Sequence, residues 1–212
     1  MPPRSESEHS KRARILQAAY AESARVGVAR TRMEDVATLA RVSKGTLYNH
    51  FESKEHLLLA TLLASYEEFL PLVEAAPGAN AGPREELEAY LDGLVKVLEE
   101  VAPRMHVHYQ AWGLVAANPA LQEQLYRFLR EFHEARGRRL EEILRAGAQA
   151  GVFRADTDAP AVSDGVQALL SGFLYRATFH PEQARASELR RSLEVLVTAP
   201  LLVPAAPERG DD

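Results

Sequence analysis

The sequence predicts an all-α protein, and three observations carry that expectation. Apolar residues recur at three- and four-residue spacing along nearly the whole chain. No stretch alternates apolar and polar residues as a half-buried strand would, and no hairpin turn separates two such runs. No internal repeat period is present. The 212 residues, 46% hydrophobic and 26% charged, suffice for one or two compact domains with a substantial core. With no cysteine, disulfide frameworks, thiolate zinc sites and cysteine nucleophiles are excluded.

The elements follow in order. Residues 1–10 form a polar arm with no apolar run behind it, expected to be disordered and unlike a secretory signal. A first helix begins at Lys11, with Ile15, Leu16, Ala19 and Tyr20 on one stripe and Gly27 as its stop. Thr31 is expected to cap a short second helix whose Val36, Ala37, Leu39 and Ala40 point inward, with Glu34 and Asp35 near its positive N-terminus. Ser43 caps a third short segment running to Phe51. Ser53 opens a longer amphipathic helix carrying Leu57, Leu58, Leu62 and Phe69. The run Pro77–Pro83 reads as a loop. Helices are then expected from Arg84 to Val101, from Pro103 to Asn118, and from Ala120 to about Gly151. Another carries Val162, Val166, Leu169, Leu170, Phe173 and Leu174 and ends at His180–Pro181. A last one carries Leu189, Leu193 and Leu196 before Pro200, and residues 201–212 read as a disordered tail. The longest apolar run, near Leu57–Ala64, is far below the ~20 residues of a membrane span, so a cytoplasmic, soluble chain is expected.

Charge is unevenly spread. Residues 1–56 hold ten Lys/Arg against seven Asp/Glu, a net of +3, and the remainder holds fifteen against twenty-three, a net of −8. A basic module on an acidic body is one reading, and modest scatter is the other.

The informative stretch is Thr31–Lys54. Two short helices joined by a turn of about four residues match a helix-turn-helix, whose second helix enters the DNA major groove. At roughly 100° per residue, Leu47 and Phe51 share the face that must meet the core. Gly45, Thr46 and Asn49 lie opposite, and Tyr48 and His50 flank them. A groove reader needs small or hydrogen-bonding residues facing base edges, with longer polar ones reaching phosphates on either side. Asn49 sits where an amide can read adenine. Gly45 permits close backbone approach near the helix N-terminus.

These residues resemble the DNA-binding domain of the TetR family of bacterial transcriptional regulators. The likeness rests on Ile15-Leu16-Gln17-Ala18-Ala19, Gly27, Thr31, Asp35-Val36-Ala37, the reader run Val42-Ser43-Lys44-Gly45-Thr46-Leu47-Tyr48 with His50-Phe51, and Ser53-Lys54-Glu55. It covers about residues 11–60. The resemblance implies a helix-turn-helix domain over 11–56 and a helical effector-binding and dimerisation domain over 57–200. It implies DNA contacts from Thr31, Arg32, Ser43, Lys44, Gly45, Thr46, Tyr48, Asn49, His50 and Lys54. It implies as partners a double-stranded operator, a second copy of the chain through the last two helices, and a small-molecule effector. The family usually has glycine where this chain has Arg41, and a positive φ there would cost roughly 1 kcal/mol or more.

In the body, Met105, Tyr109, Trp112 and Ala116 share one helix face, with Phe132 and Phe173 on neighbouring helices. The first three with Phe132 and Phe173 are ligand candidates, and plain core is the competing reading. His106 and His108, two apart on a helix, point away from one another and make a poor metal pair. No convergent acid, base or nucleophile set is present, so neither catalysis nor a cofactor is expected. The expected function is a ligand-responsive repressor on a palindromic operator. Two alternatives fit the same residues: a constitutive DNA-binding regulator without effector, or a helical small-molecule-binding protein that does not act on DNA.

Overall fold

In the computed structural model, residues 8–74, 81–180, 182 and 184–203 are described. The chain divides into two compact units, one of Met1–Leu70 with Pro103–Glu131, the other of Pro71–Ala102 with Phe132–Asp212.

The first unit starts with helix α1, Glu8–Val26. It begins three residues before the expected Lys11, because Glu8 offers the first turn a carboxylate that also pairs with Lys11 at 2.7 Å. Of the arm expected over residues 1–10, residues 8–10 are helical, and residues 1–7 lie outside the described residues. A 3₁₀ turn, Val28–Arg30, leads to α2, Met33–Leu39, and α3, Lys44–His50. Their common core joins Ile15, Leu16 and Ala19 of α1 to Val36, Ala37 and Ala40, with Leu47, Phe51 and Leu57 closing it. Leu39, expected inward, is 52% exposed, since Val36, Ala37 and Ala40 already fill the inner face of so short a helix.

Helix α4 covers Lys54–Glu74. A second apolar cluster in this unit joins its Leu58, Leu59 and Leu62 to Val107, Ala111 and Val115, and to Leu121 and Leu125. Unit 1 therefore reaches well past residue 56. Among the described residues, α4 is the one helix long and apolar enough by composition to cross a membrane, and 44% of that window is buried inside the protein.

The second unit takes over within α4 at Pro71 and contains α5, Pro83–Val101, whose start agrees with the expected helix. The 3₁₀ turn Ala102–Arg104 precedes α6, Met105–Ala116, and α7 runs Pro119–Gln149, each near its expected place. Leu87, Leu91, Leu94 and Leu98 of α5 are buried, as are Leu140, Ile143 and Leu144 of α7. At Gly93 a Cβ would stand 2.3 Å from the Leu72 carbonyl oxygen, so only glycine allows α5 this close to the end of α4. Of the loop expected over Pro77–Pro83, residues 77–80 lie outside the described residues.

Helix α8, Ala159–Phe179, opens at Asp158, whose side chain accepts the Ala161 amide, and ends at His180 as expected. Helix α9, Ala186–Leu193, continues as a π-helical turn, Glu194–Thr198, and a last turn α10, Ala199–Leu201. Two expectations fail here. Pro200 does not stop the helix, because it occupies a first-turn position that needs no N–H. Residue 201, expected to open the tail, is part of the fold: Leu201 is buried and its carbonyl accepts the Arg154 amide at 2.9 Å. Residues 204–212 lie outside the described residues.

Candidate nucleic-acid interface

The connection between α2 and α3 is built by a left-handed residue. Arg41 has φ 54°, and the turn is closed by two backbone bonds, Arg41 N–H to Thr38 O at 3.1 Å and Val42 N–H to Ala37 O at 3.0 Å. That pair is the hydrogen-bond pattern of a helix C-terminus normally served by glycine. The Arg14 guanidinium on α1 donates to the Ala40 carbonyl at 2.9 Å, tying the turn to the first helix. Ser43 then caps α3 by accepting the Thr46 amide at 3.0 Å, and the two hydroxyls meet at 2.9 Å.

With Leu47 fully buried and Phe51 beneath it, α3 is oriented by two anchors. Lys44, Gly45, Tyr48 and Asn49 are exposed and Thr46 is half-buried, which brings together the face expected from the helical wheel. A Cβ on Gly45 would meet only Ser43 Oγ at 3.8 Å, so the bare backbone there matters for what approaches from outside. Lys44 lies on the outer rim with its ammonium 2.9 Å from the Glu34 carboxylate. His50 Nε2 lies 3.2 Å from Glu8, and the Arg12 guanidinium sits 5.6 Å from the centre of the Phe51 ring. Lys11 and His50 hold the Glu8 carboxyl below the usual carboxylate range, with the Lys11 hydrogen bond the larger cause.

Two further expected site residues are engaged within the protein. Thr31 does not cap α2, which is preceded by Arg32 with no side-chain bond. Its side chain is buried, donating to Gly27 O at 3.1 Å and meeting Ser23 Oγ at 3.2 Å. Gly27 needs its positive φ of 87° to turn the chain there, and its carbonyl collects the Arg30 and Thr31 amides. Lys54 donates to Ala29 O at 2.8 Å, and burial draws its pKa below the ordinary lysine value. Arg32 remains exposed. Beside it lies an open depression of about 590 Å³ lined by Arg25 and Arg30 and by the carboxylates of Glu22 and Asp35, with Arg25 paired to Glu22 at 2.7 Å and Arg30 donating to Val26 O at 2.7 Å.

The ligand candidates separate between the two units. Met105 is buried, and Tyr109 and Trp112 meet edge to face at 5.3 Å, all within the first unit. Tyr66 lies parallel to Trp112 at 6.5 Å and packs on Phe128 at 5.8 Å, adding an α4 ring that the sequence reading passed over. Among the described residues, the buried Trp112 Nε1 has no hydrogen-bond partner. Phe132 and Phe173 belong to the second unit, each buried beneath an arginine, Arg136 at 5.4 Å and Arg176 at 5.1 Å. His108 is also buried, its ring bonded to Ser65 Oγ at 2.7 Å and to the Arg104 carbonyl at 3.0 Å. Burial pushes its pKa down from the ordinary imidazole value.

Residues 15–61 match the tetR family of bacterial regulatory proteins, and residues 83–201 match the C-terminal region of BetI-type transcriptional repressors. The chain is 33% identical over 95 residues to the HTH-type transcriptional repressor KstR of Rhodococcus jostii, a match spanning 45% of this chain and 44% of KstR. It thus spans less than half the length of that relative. It is 28% identical over 174 residues to the transcriptional regulator BetI of Rhizobium meliloti, covering 82% and 81% of the two chains. A transcriptional regulator from Saccharomonospora viridis, solved in complex with choline, is similar with a TM-score of 0.68 at 25% identity, covering 91% of this chain and 97% of that one.

Proposed function

The chain belongs to the TetR family of bacterial regulatory proteins, and from that premise we propose a homodimeric repressor that holds a palindromic operator and releases it when a small molecule binds. The observation that carries the reading is α3, anchored by Leu47 and Phe51 and exposing Lys44, Gly45, Tyr48 and Asn49. Asn49 and Thr46 read base edges through Gly45's open backbone, while Lys44, Tyr48, His50 and Arg32 bind flanking phosphates. Ser43 supports the reader by capping it. Thr31 and Lys54 act from behind, holding the turn that presents α2. The protein works in the cytoplasm on duplex DNA and performs no chemistry of its own.

The effector site centres on the aromatic face of α6, with Tyr109 and Trp112 as its walls and Met105 at its base. Choline is the first probe, because the similar Saccharomonospora viridis protein binds it and faces of Trp and Tyr attract quaternary ammonium groups.

The test is a binding titration on the fragment upstream of the chain's own gene. Log affinity should fall linearly with log salt, as phosphate neutralisation requires. Absence of binding at low salt, or a flat salt dependence, overturns the reading.

A further inference from the structure

We propose that the cleft between α1 and α4 is a second small-molecule site, taking a small organic cation that carries N–H donors, either a primary ammonium or a guanidinium group. The cleft encloses about 380 Å³, within the range of ligand pockets, and lies wholly in the first unit. Gln17 and Tyr20 of α1 face Thr61, Ser65 and Glu68 of α4 across it, and Arg104 stands at its rim.

Arg104 already acts there as the chain's own cation. Its guanidinium lies 5.9 Å from the centre of the Tyr20 ring and 5.7 Å from that of Phe69, with Nη1 3.5 Å from a Glu68 carboxylate oxygen. Two ring faces and a carboxylate define a place that favours positive charge. The tenant is loosely held: its bond to Glu68 is at the limit of hydrogen-bond length and the side chain is 42% exposed. An incoming cation can therefore replace it.

The walls select for N–H donors. The Thr61 hydroxyl donates to Leu57 O at 2.8 Å, which leaves its oxygen as an acceptor on the cleft wall, whereas the Ser65 hydroxyl is already bonded to the His108 ring at 2.7 Å. An anion would meet the Thr61 oxygen and Glu68. A quaternary ammonium has no N–H to give them. This site therefore differs in chemistry from the α6 effector face and goes beyond the proposed function.

The experiment is calorimetric titration of the full chain with agmatine, which carries an ammonium at one end and a guanidinium at the other. One saturable site per chain is expected, weakened about tenfold or more by Glu68→Gln through loss of a charge-assisted bond. Arg104→Ala, removing the internal competitor, should tighten it, and Trp112→Ala should leave it unchanged, with circular dichroism showing each variant folded. Lack of saturable binding to the wild-type chain overturns the proposal. So does an affinity indifferent to Glu68→Gln, or displacement of agmatine by choline. Operator affinity measured without agmatine tests the repressor reading separately.

Discussion

Arg41 carries a backbone conformation that its own side chain disfavours, φ 54° in a turn whose hydrogen bonds are those of a glycine-ended helix. Replacing it by glycine removes the Cβ strain, and Arg41→Gly should stabilise the protein by about 1 kcal/mol in urea unfolding. A lower midpoint would show that Arg41 compensates elsewhere. Two neighbouring reader residues should separate by role. Tyr48, 45% exposed on the flank, should on Tyr48→Ala weaken binding to all sequences alike. Asn49→Ala should cost about 1–3 kcal/mol at a single base pair and relax preference there. Equal losses on cognate and base-substituted operators for both variants would contradict this division.

At the scale of elements, α4 and α6 are joined through a buried imidazole. His108 bridges Ser65 and the Arg104 carbonyl of the preceding 3₁₀ turn, and burial holds its pKa below the ordinary 6.5. The unfolded chain consequently takes up that proton first as pH falls through about 6.5, so the stability this neutral histidine contributes is present above that pH and lost below it. His133, also lowered by burial, adds to the same slope. Urea midpoints from neutrality to about pH 5 should fall, and His108→Gln should flatten part of that fall. An unchanged slope would remove His108 from the account. The π turn of Glu194–Thr198 acts on a different element. It inserts extra length after Leu193, so that Val197 and Leu201 become buried while Leu196, expected inward, is 64% exposed.

For the molecule as a whole, that shift of register changes which residues can join two copies. Phe173, Val166 and Leu170 are buried in the chain's own core, so Phe173→Glu would disrupt folding rather than split a dimer. The exposed apolar residues of the last helices are Tyr175 and Phe179 on α8 and Val195 and Leu196 beyond α9. A two-fold pair would cover them and set two reader helices about one DNA turn apart, ~34 Å. Light scattering at micromolar concentration should give twice the chain mass for the wild type. Leu196→Glu should give the single mass, with operator affinity lost and the thermal midpoint little changed. A monomeric wild type would refute the dimer.

Local chemistry made much of this protein legible from its sequence. Ser43 caps because a side-chain oxygen needs only an amide three residues on. Leu47 and Phe51 turn inward because four residues nearly complete a helical turn. The all-α class and the reader helix both follow from such short-range rules. What only the tertiary structure decided depends on residues far apart in sequence. Lys54 is committed to a carbonyl 25 residues away, and the Val28 amide is satisfied by Gln110, 82 residues on. Thr31 is buried by packing that its own neighbours do not announce. Whether Leu39, Leu196 or Phe173 meets water was settled the same way, because an apolar stripe marks a face that can be buried and only the packed neighbours determine which of its residues are.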